Sequence, residues 1–299
     1  MTIKRVGVIG SGIMGSGIAE VVTRSGFEVF LRSRSRRSAD KSLARLSKSL
    51  ARQVDKSKLD ADERDECLSR VRIVADLREL DLCDLVIESV VEDLDVKVDL
   101  FAELDRVCPD ETVLVTNTST LPIVSLAMAT GRPDRVCGMH FFNPAPVMPL
   151  VEIVPALTTS DTTLAAVRSF AEDCGKAPVL VADRAGFIVN ALLFPYLNSA
   201  IGMLEQGIAS KADIDAAMRG GCGFPMGPFE LLDLVGLDTR LSILEVLHAE
   251  RGDPGSRPAP LLQRMVTARQ LGRKTRQGFY PYPAADSPTA PSPSGTSTS

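Results

Sequence analysis

Two histidines occur in the chain, and only one sits where an imidazole could exchange protons with a ligand. His248 lies in a charged helical stretch, His-Ala-Glu-Arg, and reads as a surface residue. His140 ends a predicted strand over 136–139 and opens the turn His140-Phe141-Phe142-Asn143-Pro144. The C-terminal end of a sheet strand is where ligands bind in open α/β architectures. Further on, Glu152 interrupts an otherwise apolar strand, Leu150-Val151-Glu152-Ile153-Val154. A charge in such a strand needs a partner, and His140 across a hairpin-like return is the natural candidate. A carboxylate of this kind fixes the imidazole tautomer and raises its basicity, which suits proton transfer. A purely structural ion pair is the alternative. Ser119 follows the predicted strand 113–116 and brings a hydroxyl to the same side; alone, it or Thr120 would be read as a helix cap.

A second group of residues points to a nucleotide. Gly10-Ser11-Gly12-Ile13-Met14-Gly15 follows the first strand and opens the first helix. In that context Gly10 permits a tight turn, Gly12 lets a pyrophosphate approach the backbone, and Gly15 lets the helix lie close to the strand. Free N–H groups at the helix start then face the anion. A glycine-rich turn without a ligand is the bland alternative. At the end of the second strand, where an NAD-binding fold places an acid for the ribose 2′-hydroxyl, the chain reads Arg32-Ser33-Arg34-Ser35-Arg36-Arg37. A carboxylate would repel a 2′-phosphate, whereas Ser33 and Arg34 would bind one. The expected cofactor is therefore NADP(H), with NAD(H) as the alternative; a solvated basic loop is the plain reading of the arginines.

The elements that must hold these residues follow from hydrophobic periodicity. Strands are predicted over 4–9, 28–32, 71–74, 85–88, 113–116, 136–139, 151–154 and 179–181, with helices over 14–25, 38–57 and 60–70 and between several later strands. This alternation argues for a doubly wound, mostly parallel, Rossmann-like sheet. Beyond Phe187 only helical segments appear: 187–205, with Pro195 expected to kink it, then 211–219, 228–235, 238–249 and 260–271. The expected organisation is a dinucleotide-binding domain over 1–184, an all-helical substrate and dimerisation domain over 185–283, and a disordered Pro/Ser/Thr-rich tail over 284–299.

Composition limits the function classes. The 299 residues are 44% hydrophobic with a net charge of −4, which gives no reason to expect nucleic acid or an anionic membrane as partner. No apolar run is long enough to span a bilayer. The N-terminus enters an apolar strand without a secretory signal, and six scattered cysteines form no C-x-x-C pair. Reduced thiols in a cytoplasmic protein are expected. No metal site is expected. The helical segments are too apolar for a small domain facing water alone, so a homodimer is expected.

Taken together the motifs resemble the short, two-domain 3-hydroxyacyl-CoA dehydrogenases of the 3-hydroxybutyryl-CoA type. The matching pieces are GSGIMGSGIAE at 10–20, VIESVVEDLDVK at 86–97, NTST at 117–120, HFFNP at 140–144, LVEIV at 150–154, GFIVNALL at 186–193, FPMGPFELLDLVGLD at 224–238 and GRKTRQGFY at 272–280. The resemblance implies that His140 is the acid/base paired with Glu152, and that Ser119 and Asn143 hydrogen-bond the reacting oxygen. It implies that Asn190 is a further active-site residue. Glu92, Lys97, Asn117 and Lys274 would contact the cofactor, with Gly10 to Gly15, and Ser49 and Lys56 would contact coenzyme A. Without the family, Lys97 and Lys274 read as solvated lysines. Two positions depart from the pattern: Ser33 stands for the usual Asp, and Arg276 for a usual Gly, so the loop near Lys274 is expected to differ. The implied reaction is hydride exchange at C3 of a short-chain (S)-3-hydroxyacyl-CoA. Alternatives are a dehydrogenase acting on an acyl-carrier-protein thioester or a free hydroxy acid, and a non-catalytic cofactor-binding protein. The 6-phosphogluconate-like dehydrogenases share the layout but use a lysine from the helical domain.

Overall fold

Short runs of β-branched and aliphatic residues, bounded by glycines and helix caps, become the strands of one sheet. The computed structural model describes residues 2–252 and 254–283; the expected tail over 284–299 lies outside the described residues. The first compact unit ends at Ile188 and the second begins at Val189.

In the first unit the strands are β1 (Arg5–Ile9), β2 (Glu28–Arg32), β3 (Val71–Val74), β4 (Leu85–Glu88), β5 (Val113–Thr116), β6 (Val136–Phe141), β7 (Leu150–Pro155) and β8 (Ala177–Leu180). They lie in the order β3-β2-β1-β4-β5-β6-β7-β8. All pairs are parallel except β6 with β7, which is antiparallel. The C-terminal ends of β1, β2, β4, β5 and β6 therefore share one edge of the sheet, the edge that carries ligands in this architecture.

Helices α1 (Ile13–Arg24), α2 (Arg36–Asp55), α3 (Ala61–Ser69), α4 (Leu94–Val107), α5 (Ile123–Ala127) and α6 (Asp161–Asp173) cover the sheet. Because successive side chains of a strand point to opposite faces, Leu85 and Ile87 enter one core with Val6, Val8, Ile18 and Leu46. Val86 enters the other with Phe101, Leu104 and Ile123. Strands buried on both sides explain the nearly continuous apolar runs.

Helix α2 starts two residues before the expected Ser38, because Ser35 and Ser38 cap it reciprocally. Strand β6 runs two residues past the expected end at Met139. The Asn117 side chain accepts the Phe141 N–H at 2.8 Å, and Phe141 pairs with Val151. His140 thus stands inside a strand rather than after one.

The second unit comprises α7 (Val189–Glu205), α8 (Lys211–Cys222), α9 (Pro228–Val235), α10 (Leu237–Arg251) and α11 (Pro260–Thr267). Helix α7 begins at Val189 and not at Phe187, since Gly186 and Phe187 both take positive φ. Helix α8 runs on to Cys222, where Gly223 ends it in the left-handed conformation. Helix α11 stops at Thr267, four residues short of the expected end, and Arg269 takes positive φ. Two buried carboxylates fasten the last segment: Asp233 accepts from the Phe279 and Tyr280 N–H groups, and Asp215 from the Tyr280 hydroxyl. No helix among the described residues is long and apolar enough to cross a membrane. All six cysteines are unpaired, five of them buried.

Candidate active site

The antiparallel return from β6 to β7 places His140 opposite Glu152. Directly opposed residues on such a pair project to the same face, and here the side chains meet: His140 Nδ1 lies 2.8 Å from Glu152 Oε2. Both are buried. The other Glu152 oxygen accepts the Ile188 N–H at 2.9 Å. With Glu152 ionised, the proton of a neutral imidazole sits on Nδ1 and Nε2 is left as the acceptor. Phe142 and Phe187 pack on the ring, with centroids 4.5 and 5.5 Å away. The low-dielectric wall they form strengthens the pair.

On the same edge, the loop after β1 is built for close approach. A Cβ on Gly10, whose φ is +126°, would run into the Ser89 carbonyl, and one on Gly15 would run into the Gly10 carbonyl. Gly12 differs, because nothing lies within 4 Å of where its Cβ would be. It occupies the N-cap of α1 with no side-chain cap. Open space before uncapped N–H groups is what a pyrophosphate requires, so the residues present fit a dinucleotide. Ile13 is exposed and Met14 half-buried at this helix start.

Ser33 is buried, contrary to the picture of a hydroxyl turned toward a ligand. Its Oγ hydrogen-bonds Ser11 Oγ at 2.9 Å and also Ser38 Oγ. These hydroxyls tie the glycine-rich loop to the start of α2, and Arg45 adds a bond to the Ser11 carbonyl at 2.7 Å. Among the described side chains, Arg34, Ser35 and Arg37 are exposed at this corner. The first turn of α2 holds no acidic residue.

Between β4 and β5 lies a charge network whose inner pair, Glu88 and Lys97, is buried and whose outer member, Glu92, is partly exposed. Lys97, expected either in water or on a cofactor, is 1% exposed and is enclosed by two carboxylates. Its Nζ lies 2.6 Å from Glu88 Oε1 and 3.4 Å from Glu92 Oε2. Glu92 also accepts from the Thr118 hydroxyl at 2.6 Å, the Ser119 N–H at 2.8 Å and the Ser119 hydroxyl at 3.1 Å. Burial pushes the Glu92 carboxyl up, but the Lys97 ammonium and these donors outweigh it, and its pKa falls below the ordinary value. Ser119 caps no helix: α5 starts only at Ile123, behind Pro122. Asn117 binds the Phe141 N–H and, at 3.2 Å, Ser89 Oγ, so both ends of its amide serve the framework.

A cavity of about 410 Å³ opens beside these elements, lined by Ile13, Ser49, Lys56 and Asn143 together with Arg45 and Arg52. Ser49 lies on α2 and Lys56 is the residue that caps its C-terminal end, seven positions on. The remaining predicted residues stand in the second unit. Asn190 is buried on α7. Lys274 is engaged by both oxygens of Asp238 at 2.5 Å. Arg276 takes φ +60°, the left-handed conformation that a glycine adopts without strain.

Sequence reasoning assigned no role to Glu88, Thr116 or Arg45. The signal was available at Glu88, a charge closing a strand whose other residues are apolar and followed by a lysine nine positions on.

The chain matches the family model described as 3-hydroxyacyl-CoA dehydrogenase, NAD binding domain, over residues 5–184, and the C-terminal domain of the same name over 186–282. It is 46% identical to the 3-hydroxybutyryl-CoA dehydrogenase of Clostridioides difficile over 278 residues, 93% of this chain and 99% of that protein. It superposes on the crystal structure of FadB2 from M. tuberculosis with a TM-score of 0.93 and 48% identity, covering 95% of this chain and 100% of that one. The (S)-3-hydroxybutyryl-CoA dehydrogenase of Ralstonia eutropha gives 0.92 at 41% identity, with 95% and 100% covered.

Proposed function

The chain belongs to the 3-hydroxyacyl-CoA dehydrogenase family, and on that footing we propose that it interconverts a short-chain (S)-3-hydroxyacyl-CoA and its 3-oxoacyl form. The observation that carries this reading is the 2.8 Å contact of His140 with Glu152 at the ligand-bearing edge of the sheet. A bound nicotinamide would supply hydride exchange with C3. In oxidation, His140 Nε2 takes the proton of the 3-hydroxyl and Glu152 stabilises the imidazolium. In reduction, the same nitrogen returns a proton to the developing alkoxide. Ser119 and Asn143 offer hydrogen bonds where that charge grows, and Asn190 is a further active-site residue. Glu92 acts on the cofactor side of the site. Proton transfer by a positioned histidine is worth about 10²–10⁴-fold in rate.

The thioester arm lies along the basic face of α2. Arg45, Arg52 and Lys56 suit phosphates, and Ser49 and Asn143 line the same cavity. For the cofactor we infer a preference for NADP(H). Arg34 and Arg37 are exposed beside an α2 start that lacks acids, which favours a 2′-phosphate. The buried Ser33 contributes by not being a carboxylate. A homodimer through the helical unit belongs to the same reading, since Leu192, Ile208 and Phe224 stand exposed on it. Unpaired cysteines support a reducing, cytoplasmic setting.

The test is steady-state reduction of acetoacetyl-CoA, without carrier protein, by NADPH and by NADH. The expected result is turnover with a lower KM for NADPH, and a shift of at least about tenfold in kcat/KM toward NADH in Ser33→Asp, since that carboxylate repels a 2′-phosphate. A lower KM for NADH in the unaltered enzyme overturns the cofactor preference; absence of turnover with either overturns the function.

A further inference from the structure

We propose that Glu88 and Lys97 are positioning residues for this reaction: their buried ion pair holds Glu92, and Glu92 in turn fixes Ser119 and its hydroxyl. The inference rests on the role given to Ser119 above.

Glu88 is fully buried at the end of β4. Its Oε1 accepts from Lys97 Nζ and from the Val90 N–H, each at 2.6 Å, and its Oε2 from the Thr116 hydroxyl at 2.7 Å. The anchor is thus tied to two strands and cannot drift. Lys97 has almost no exposed surface, and its ammonium bridges Glu88 and Glu92. Well-packed apolar residues stabilise a core as well as a buried ion pair does. The pair is therefore not explained by stability alone.

What it adds is direction. Glu92 gathers the Thr118 hydroxyl and both the N–H and the hydroxyl of Ser119. A carboxylate only accepts, so the Ser119 hydroxyl donates to it when no ligand is bound. Its oxygen then stays in place, and the proton swings to a ligand by rotation about one C–O bond. A side chain held this way is already oriented when charge develops, which is where such a hydrogen bond contributes most to rate.

The test is a mutant cycle in the full-length enzyme. Glu88→Gln/Lys97→Gln replaces the ion pair with a neutral pair able to hydrogen-bond, and Ser119→Ala removes the hydroxyl. If the pair acts through Ser119, the neutral variant loses about tenfold or more in kcat, and adding Ser119→Ala costs less than about twofold further. Independently, ¹³C NMR of the Glu92 carboxyl shows it titrating higher once Lys97 is neutral. Should the neutral pair fail to fold, Glu88→Asp keeps the charge and withdraws it by one methylene, and the same non-additivity is expected. Near-normal kcat in a folded variant, an unmoved Glu92 titration, or a fully multiplicative loss on adding Ser119→Ala overturns the positioning role alone. Ser119→Ala turning over at the unaltered rate overturns the Ser119 assignment itself, and with it this inference.

Discussion

Gly12→Ala separates binding from folding at the nucleotide loop. The new methyl meets nothing in the protein, because no atom lies within 4 Å of its position. The backbone there, φ −71° and ψ −173°, is open to any residue. Replacing glycine in such a conformation stabilises by about 0.4–1 kcal/mol through the unfolded chain. Alanine is the poorer N-cap by a similar amount, about 0.5–1 kcal/mol. The two offset, and Tm is expected to move by less than about 3 °C. Binding has no such compensation. The methyl fills the space before the α1 N–H groups, and loss of one charge-assisted hydrogen bond costs about 1.5–3 kcal/mol, a factor of at least about ten in Kd. Isothermal titration calorimetry with NADPH, paired with a thermal melt, reads both quantities. Gly15→Ala is the contrast: its methyl collides with the Gly10 carbonyl, so Tm itself falls. A Gly12→Ala protein with unaltered Tm and a Kd within about twofold of the parent would refute the assignment of the loop to a pyrophosphate.

Two further predictions concern stability. The Glu92 carboxyl titrates below its ordinary 4.5, burial being outweighed by Lys97 and the Thr118 and Ser119 donors. Its contribution is therefore complete above 4.5 and is lost as acid takes the folded carboxyl through its depressed value; the stability gap between the parent and Glu92→Gln, measured by urea unfolding, shrinks below that pH, and a constant gap contradicts the network. Arg276 holds φ +60°, a conformation that costs a side-chain-bearing residue about 1–2 kcal/mol, so Arg276→Gly is expected to raise Tm by about 1–3 °C, and a lowered Tm speaks against that strain.

Sequence pattern made much of this site legible. A lone Glu in an apolar strand and a His at the end of the preceding one were enough to pair Glu152 with His140, because a buried charge narrows its own choice of partner. The doubly wound sheet followed from strand–helix alternation. What stayed hidden depends on contacts distant in sequence. The two extra residues of β6 depend on Asn117, twenty-four positions before Phe141. Lys97 looks solvated until α4 carries it against the end of β4. Ser33 looks available until Ser11 and Ser38 close over it. In each case local pattern gives the residue's chemistry, and only packing decides which way it faces.

Since only two histidines are present, ¹⁵N-histidine NMR reads the protonation of the His140 ring with little ambiguity. Neutral His140 is expected to carry its proton on Nδ1, facing Glu152, with Nε2 bare, and Glu152→Gln is expected to disturb that tautomer and lower kcat together. A proton resting on Nε2, or an imidazole indifferent to Glu152→Gln, would contradict the account.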